Sequence, residues 1–137
     1  IKILVKNKIP VMGHLGVLPQ SAKNFRFKGK NITEHNKILN EAKLLESSGV
    51  FSIVLECVES SLAKKITEKV NIPTIGIGAS SNCDGQVLVT DDLIGLNPIN
   101  LRFVKKYSNI SKEITKAVSN YSKDVKKKKF PLKKHSY

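Results

Sequence analysis

Val50-Phe51-Ser52-Ile53-Val54-Leu55-Glu56 is the stretch on which the fold turns. Five of its first six residues are apolar, and a carboxylate closes it. A short apolar run of this kind, with Gly49 in front of it, reads as a strand buried on both faces. Upstream, Ile38, Leu39, Ala42 and Leu45 recur on one face of a helix that Thr33 can cap, with Glu34 in its first turn. Downstream, Ser60 or Ser61 can cap a second helix carrying Leu62, Ala63, Ile66 and Val70. Further out, residues 10–16, 72–78 and 86–90 read as three more strands, and residues 1–8 as the end of a helix. Strand and helix in alternation, with near-continuous apolar strands, predict a parallel α/β sheet.

Four such strands fit a small doubly wound sheet. They also fit half of a barrel, since a complete (βα)8 barrel needs eight strands and about 250 residues. A last helix is predicted over 111–125, with Ile110, Ile114, Ala117, Val118, Tyr121 and Val125 along one side. No linker or internal repeat beyond the βα unit interrupts the 137 residues, so a single domain is expected, with a basic tail at 126–137. Residues 18–30 form a loop long enough to be functional.

Glu56 is the most informative residue for chemistry. It ends a predicted parallel strand, and that edge of open sheets and barrels hosts active sites. A carboxylate partly withdrawn from water there suits a general base; it could equally cap or salt-bridge the following helix. His14, between Gly13 and Gly16, ends the first strand in the same way and is a candidate pocket residue or a structural one. Gly76-Ile77-Gly78-Ala79 lacks the rest of a GxGxxG motif and reads as backbone clearance under a substrate or as a tight barrel turn. Asp84-Gly85 reads as a turn before a strand. Asp91 and Asp92 invite a metal reading, against which stands helix capping by one and solvation of the other.

The formal charge is +13, yet of 24 basic residues only Arg26 and Arg102 are arginines. Base readout favours arginine's bidentate fork, and the surplus gathers at Lys126–Lys129, Lys133 and Lys134. A solvated tail, or one that meets an acidic partner, fits better than a nucleic-acid surface. No apolar run nears the ~20 residues that cross a bilayer. The N-terminus lacks both a signal-peptide pattern and an initiator Met, as expected of a processed or truncated chain. Cys57 and Cys83 match no metal or redox spacing and read as reduced thiols of a cytoplasmic protein.

Several segments resemble ketopantoate hydroxymethyltransferase in order and spacing. They are Ile9-Pro10-Val11-Met12-Gly13-His14-Leu15-Gly16 with Pro19-Gln20-Ser21, Ile53-Val54-Leu55-Glu56-Cys57-Val58, Ile72-Pro73-Thr74-Ile75-Gly76-Ile77-Gly78-Ala79 and Cys83-Asp84-Gly85-Gln86-Val87-Leu88-Val89. Phe130-Pro131 and His135-Ser136-Tyr137 resemble the family's closing segment. The resemblance implies the C-terminal half of a (βα)8 TIM barrel of about four βα units, with an additional C-terminal helix. It implies transfer of a hydroxymethyl group from 5,10-methylenetetrahydrofolate to 3-methyl-2-oxobutanoate, giving 2-dehydropantoate for pantothenate synthesis. Glu56 matches the base that takes the C3 proton, and His14 a histidine near the substrate pocket.

The resemblance further implies Mg²⁺ on the keto-acid, with ligands and a substrate lysine outside this chain, and a large homo-oligomer without nucleic-acid or membrane partners. Leu18, Ser80 and Glu59 depart from the family's usual Thr, Gly and Pro. A chain without the metal ligands is expected to be inactive alone. Two other readings compete: a non-catalytic basic binding module, and another keto-acid lyase or mutase of the same barrel superfamily. Many of the latter carry a catalytic cysteine beside Gly-His, which this sequence lacks.

Overall fold

The computed structural model describes residues 1–18 and 26–137. The chain divides into two compact units, Ile1–Val87 and Leu88–Tyr137. The first holds helix α1 (Lys2–Lys6), strand β1 (Met12–Gly16), helix α2 (Ile32–Ser47), strand β2 (Ser52–Glu56), helix α3 (Ser60–Thr67), strand β3 (Thr74–Ile77) and strand β4 (Gly85–Gln86). The four strands lie in the order β1-β2-β3-β4 and all neighbours pair in parallel. The expected parallel α/β architecture is therefore present.

Side-chain alternation sorts the sheet into two faces. Leu15, Ile53 and Leu55 point into one cluster with Ile38 and Ala42 of α2 and Leu62, Ala63 and Ile66 of α3. Ile53, Leu55, Leu62 and Ile66 are fully buried, and each such side chain contributes about 1.5–3 kcal/mol. Gly13 lets α2 approach, since a Cβ there would stand 2.9 Å from Leu45 Cδ1. On the opposite face His14, Val54, Glu56 and Ile75 are part-exposed.

Helix boundaries moved where side chains found better caps. Asn31, rather than Thr33, caps α2 by accepting from Glu34 N at 2.8 Å. Glu59, rather than Ser60 or Ser61, caps α3 by accepting from Leu62 N at 3.0 Å. The fourth strand is much shorter than expected. Only Gly85 and Gln86 pair, Val87 N makes a last bond to Gly76 O, and Thr90 already begins a helix. Val87, where the pairing stops, is exposed.

Asp84 stands at the expected turn leading into β4, and from there it also locks the start of β3. Asp84 Oδ2 accepts from Thr74 N at 2.8 Å and from Thr74 Oγ1 at 3.0 Å, and Thr74 Oγ1 also lies 2.8 Å from Thr67 Oγ1. Thr74 is wholly buried, so these bonds satisfy groups that would otherwise destabilise the core.

The second unit holds helices α4 (Thr90–Leu93) and α5 (Ile110–Lys126) and a 3-10 turn at Lys133–His135. α5 is the predicted last helix, started by Asn109, which accepts from Lys112 N at 3.3 Å. Its stripe residues Ile114, Val118, Tyr121 and Val125 are all exposed. Asp91 and Asp92 both lie in the first turn of α4; neither caps it, while Asp91 is exposed as expected of one of the two. Asp92 is buried and accepts from Asn97 Nδ2 at 2.8 Å.

Candidate active site

Parallel register places Gly16 opposite Glu56 and His14 opposite Val54. His14 and Glu56 are thus diagonal neighbours on the face that the helices leave open. Their side chains meet, with His14 Nε2 3.0 Å from Glu56 Oε2, and are 31% and 16% exposed. An ionised carboxylate can only accept, so Nε2 carries the proton and donates. The other ring nitrogen, Nδ1, accepts in the neutral ring and donates in the charged one. Nδ1 is buried and has no hydrogen-bond partner among the described residues. An orphaned buried polar atom is costly, so Nδ1 calls for a hydrogen-bonding partner beyond these residues. No hydrogen bond among the described residues reaches Glu56 Oε1.

The backbone holds Glu56 from both sides. Val17 N donates to Glu56 O at 2.9 Å, Cys57 N to Ile77 O at 2.8 Å, and Lys28 N to Cys57 O at 2.8 Å. Cys57 adopts φ 50°, a left-handed conformation rare for a residue with a side chain. Such geometry persists only where its surroundings over-determine it, as they do here. Gly16, at φ 110°, allows the close approach, because a Cβ there would collide with Glu56 O. Burial, helped by the Glu56 charge beside it, pushes the Cys57 thiol up to about 11. The thiol is therefore protonated near neutrality and is no nucleophile.

The other candidates fall elsewhere. Gly76 leaves room for Gln86 and Cys83, whose side-chain atoms would lie 2.9–3.1 Å from a Cβ there, so its clearance serves protein packing. Ser80, buried beyond β3, accepts from Ser60 Oγ at 3.3 Å and from Asn82 N at 3.2 Å, while its carbonyl accepts from Gln86 Nε2 at 2.8 Å. Pro19-Gln20-Ser21 and residues 22–25 of the long loop lie outside the described residues. Among the described residues no cluster of three or more His, Cys, Asp or Glu side chains could hold a metal ion. No helix among the described residues is long and apolar enough to cross a membrane.

The fold and site define a parallel α/β protein with a histidine and a carboxylate in hydrogen-bond contact at the carboxyl ends of adjacent strands. The chain belongs to the ketopantoate hydroxymethyltransferase family, whose model matches residues 1–133. It is 72% identical over 137 residues to 3-methyl-2-oxobutanoate hydroxymethyltransferase of Pelagibacter ubique, covering 100% of this chain and 53% of that protein. It is 48% identical over 141 residues to the enzyme of that name from Clostridium botulinum, covering 100% and 51%. To the one from Carboxydothermus hydrogenoformans it is 49% identical over 138 residues, covering 98% and 50%. The chain spans about half the length of the curated relatives it matches.

Proposed function

We propose that this chain is the C-terminal half of a (βα)8-barrel 3-methyl-2-oxobutanoate hydroxymethyltransferase, with Glu56 as the general base. The observation that carries the reading is the Glu56 carboxylate at the end of β2, held by His14 Nε2 at 3.0 Å on the open sheet face. Parallel sheets are normally covered on both faces, and a barrel interior would complete this one. The family's reaction joins the one-carbon unit of 5,10-methylenetetrahydrofolate to C3 of 3-methyl-2-oxobutanoate. Glu56 Oε1 takes the C3 proton, and the C–H electron pair becomes that of the enolate, whose C3 bonds to the methylene carbon as one of its two C–N bonds opens; water then displaces the second C–N bond, supplying the hydroxyl oxygen and releasing tetrahydrofolate. His14 lines the pocket and, through Nε2–H, keeps the carboxylate turned toward it.

Mg²⁺ and its ligands, and the substrate lysine, are assigned to residues outside this chain. The remaining partners are the two small-molecule substrates and further copies of the enzyme in a homo-oligomer, in the cytoplasm. The basic-module alternative predicts strongly salt-dependent binding to an acidic partner and no keto-acid dependence.

The test uses the chain restored to full length by joining it to the N-terminal half of the Pelagibacter ubique relative. Glu56→Gln keeps the side chain's shape and removes its basicity. General-base catalysis contributes about 10²–10⁴-fold, so solvent-deuterium exchange at C3 of 3-methyl-2-oxobutanoate, without folate, should slow by that factor. Exchange at the parent rate would assign the base to another residue.

A further inference from the structure

Beyond the strand ends, one side chain ties the return of the long loop to the backbone behind the base. Glu34, in the first turn of α2, accepts from Gly29 N through Oε2 at 2.7 Å. Its Oε1 lies 3.5 Å from Arg26 Nη2 and 3.8 Å from Lys28 Nζ, and the side chain is only 20% exposed. Lys28, between these contacts, forms a parallel bridge to Val58. Its N–H donates to Cys57 O and its carbonyl accepts from Glu59 N, both at 2.8 Å. Gly29 is buried at φ 90° against Leu62 of α3, so the loop can return along no wider path without losing that packing.

On the reading of Glu56 as the base, we propose that Glu34 is a positioning residue for it. The links run from the Glu34 carboxylate to Gly29 N, through Lys28 to the Cys57 carbonyl, and so to the peptide that follows Glu56. The Cys57 peptide is left-handed and gripped from the other side by Ile77 O. Release on the loop side lets it relax and swing the carboxylate. The single short bond to Gly29 N matters more than the pairs to Arg26 and Lys28. Exposed, long ion pairs contribute little, whereas a backbone N–H held by a part-buried carboxylate is a charge-assisted bond.

Three variants of the restored full-length enzyme test this. Glu34→Gln keeps an acceptor for Gly29 N, Glu34→Ala removes it, and Arg26→Ala removes one of the long pairs. Amide hydrogen exchange should quicken at Lys28 and Gly29 in Glu34→Ala, while Ile53 and Leu55 in the core stay protected. Misplacing a reacting group by about 1 Å can cost ~10²-fold, so kcat and C3 exchange should fall roughly 10- to 100-fold in Glu34→Ala. KM should be nearly unchanged, because Glu34 reaches no substrate. Glu34→Gln and Arg26→Ala should keep most of the parent rate. Parent-like amide and C3 exchange in Glu34→Ala, beside a slow Glu56→Gln, would overturn the positioning role and leave the base in place. A rise in KM with kcat unchanged would overturn it too. A Glu56→Gln variant that exchanges C3 at the parent rate would remove the base itself, and the role of Glu34 with it.

Discussion

Replacing Gly16 with alanine should damage both stability and the site. Gly16 sits at φ 110°, where a residue with a Cβ costs on the order of 1–3 kcal/mol. The new methyl would also collide with Glu56 O and lie 2.9 Å from both the Glu56 carbonyl carbon and Val58 Cγ2. Backbone of a paired strand cannot swing aside as a flexible side chain can, and overpacking of this kind costs about 1–3 kcal/mol. Together the loss is roughly 2–6 kcal/mol, a large share of the ~5–15 kcal/mol that separates a folded domain from its unfolded state. Gly13→Ala is the control. It lies on the same strand without a positive φ, and its Cβ would meet only the tip of Leu45, 2.9 Å away. That loss should stay below about 1.5 kcal/mol. Urea unfolding of the restored full-length enzyme, followed by circular dichroism, measures both, and C3 exchange reads the displacement of Glu56. If Gly16→Ala shifts the midpoint no further than Gly13→Ala, or leaves C3 exchange unchanged, the close approach does not set the base.

The chain by itself should show no turnover with 3-methyl-2-oxobutanoate, methylenetetrahydrofolate and Mg²⁺, and ordinary turnover would refute the assignment of metal ligands elsewhere. It should also self-associate through the open sheet face and strand edges, which light scattering would reveal as a mass above that of the monomer. Glu59 is held below the ordinary glutamate range by the Ser61 hydroxyl and by the Ser61 and Leu62 amides. A carboxylate with a lowered folded pKa stabilises above the unfolded value and stops doing so as pH falls through the folded one. Glu59→Ala should thus be less stable than the parent near neutrality, and its urea midpoint should converge on the parent's in acid. Cys57, buried and protonated, should resist iodoacetamide at neutral pH until urea exposes it; rapid labelling of the folded protein would refute its protonated, enclosed state.

The strands around Glu56 were legible because burial dictates composition: Ile53 and Leu55 must be apolar to face Leu62 and Ile66. Glu56 itself stood out as a carboxylate ending an apolar run. Its pairing with His14 did not, since residues 42 positions apart meet only through strand register. Register also hid the work of Gly16 and Cys57, whose backbone angles no local pattern announces. The fourth strand misled because Val87-Leu88-Val89 carries strand-like residues but pairing stops at Val87 N. Caps were missed at Asn31 and Glu59 because serine and threonine nearby offered equally good local chemistry. Glu59 thus has a physical use here: it starts α3.

The diagonal meeting of His14 and Glu56 depends on counting. Side chains on a strand alternate between faces, so the pair exists only while both residues keep the same parity against a fixed register. One residue inserted between Ile9 and Gly13 would offer β1 two choices. If the strand slid to follow the insertion, Leu15 would leave the helices and His14 would enter the core against α2. If the register held, the surplus would have to bulge out before Met12. Two inserted residues would restore parity and spare the alternation. Length changes ahead of β1 should therefore be tolerated in steps of two or absorbed in the 7–11 connection, and a single-residue change inside the strand would exchange an acid–base couple for a buried imidazole.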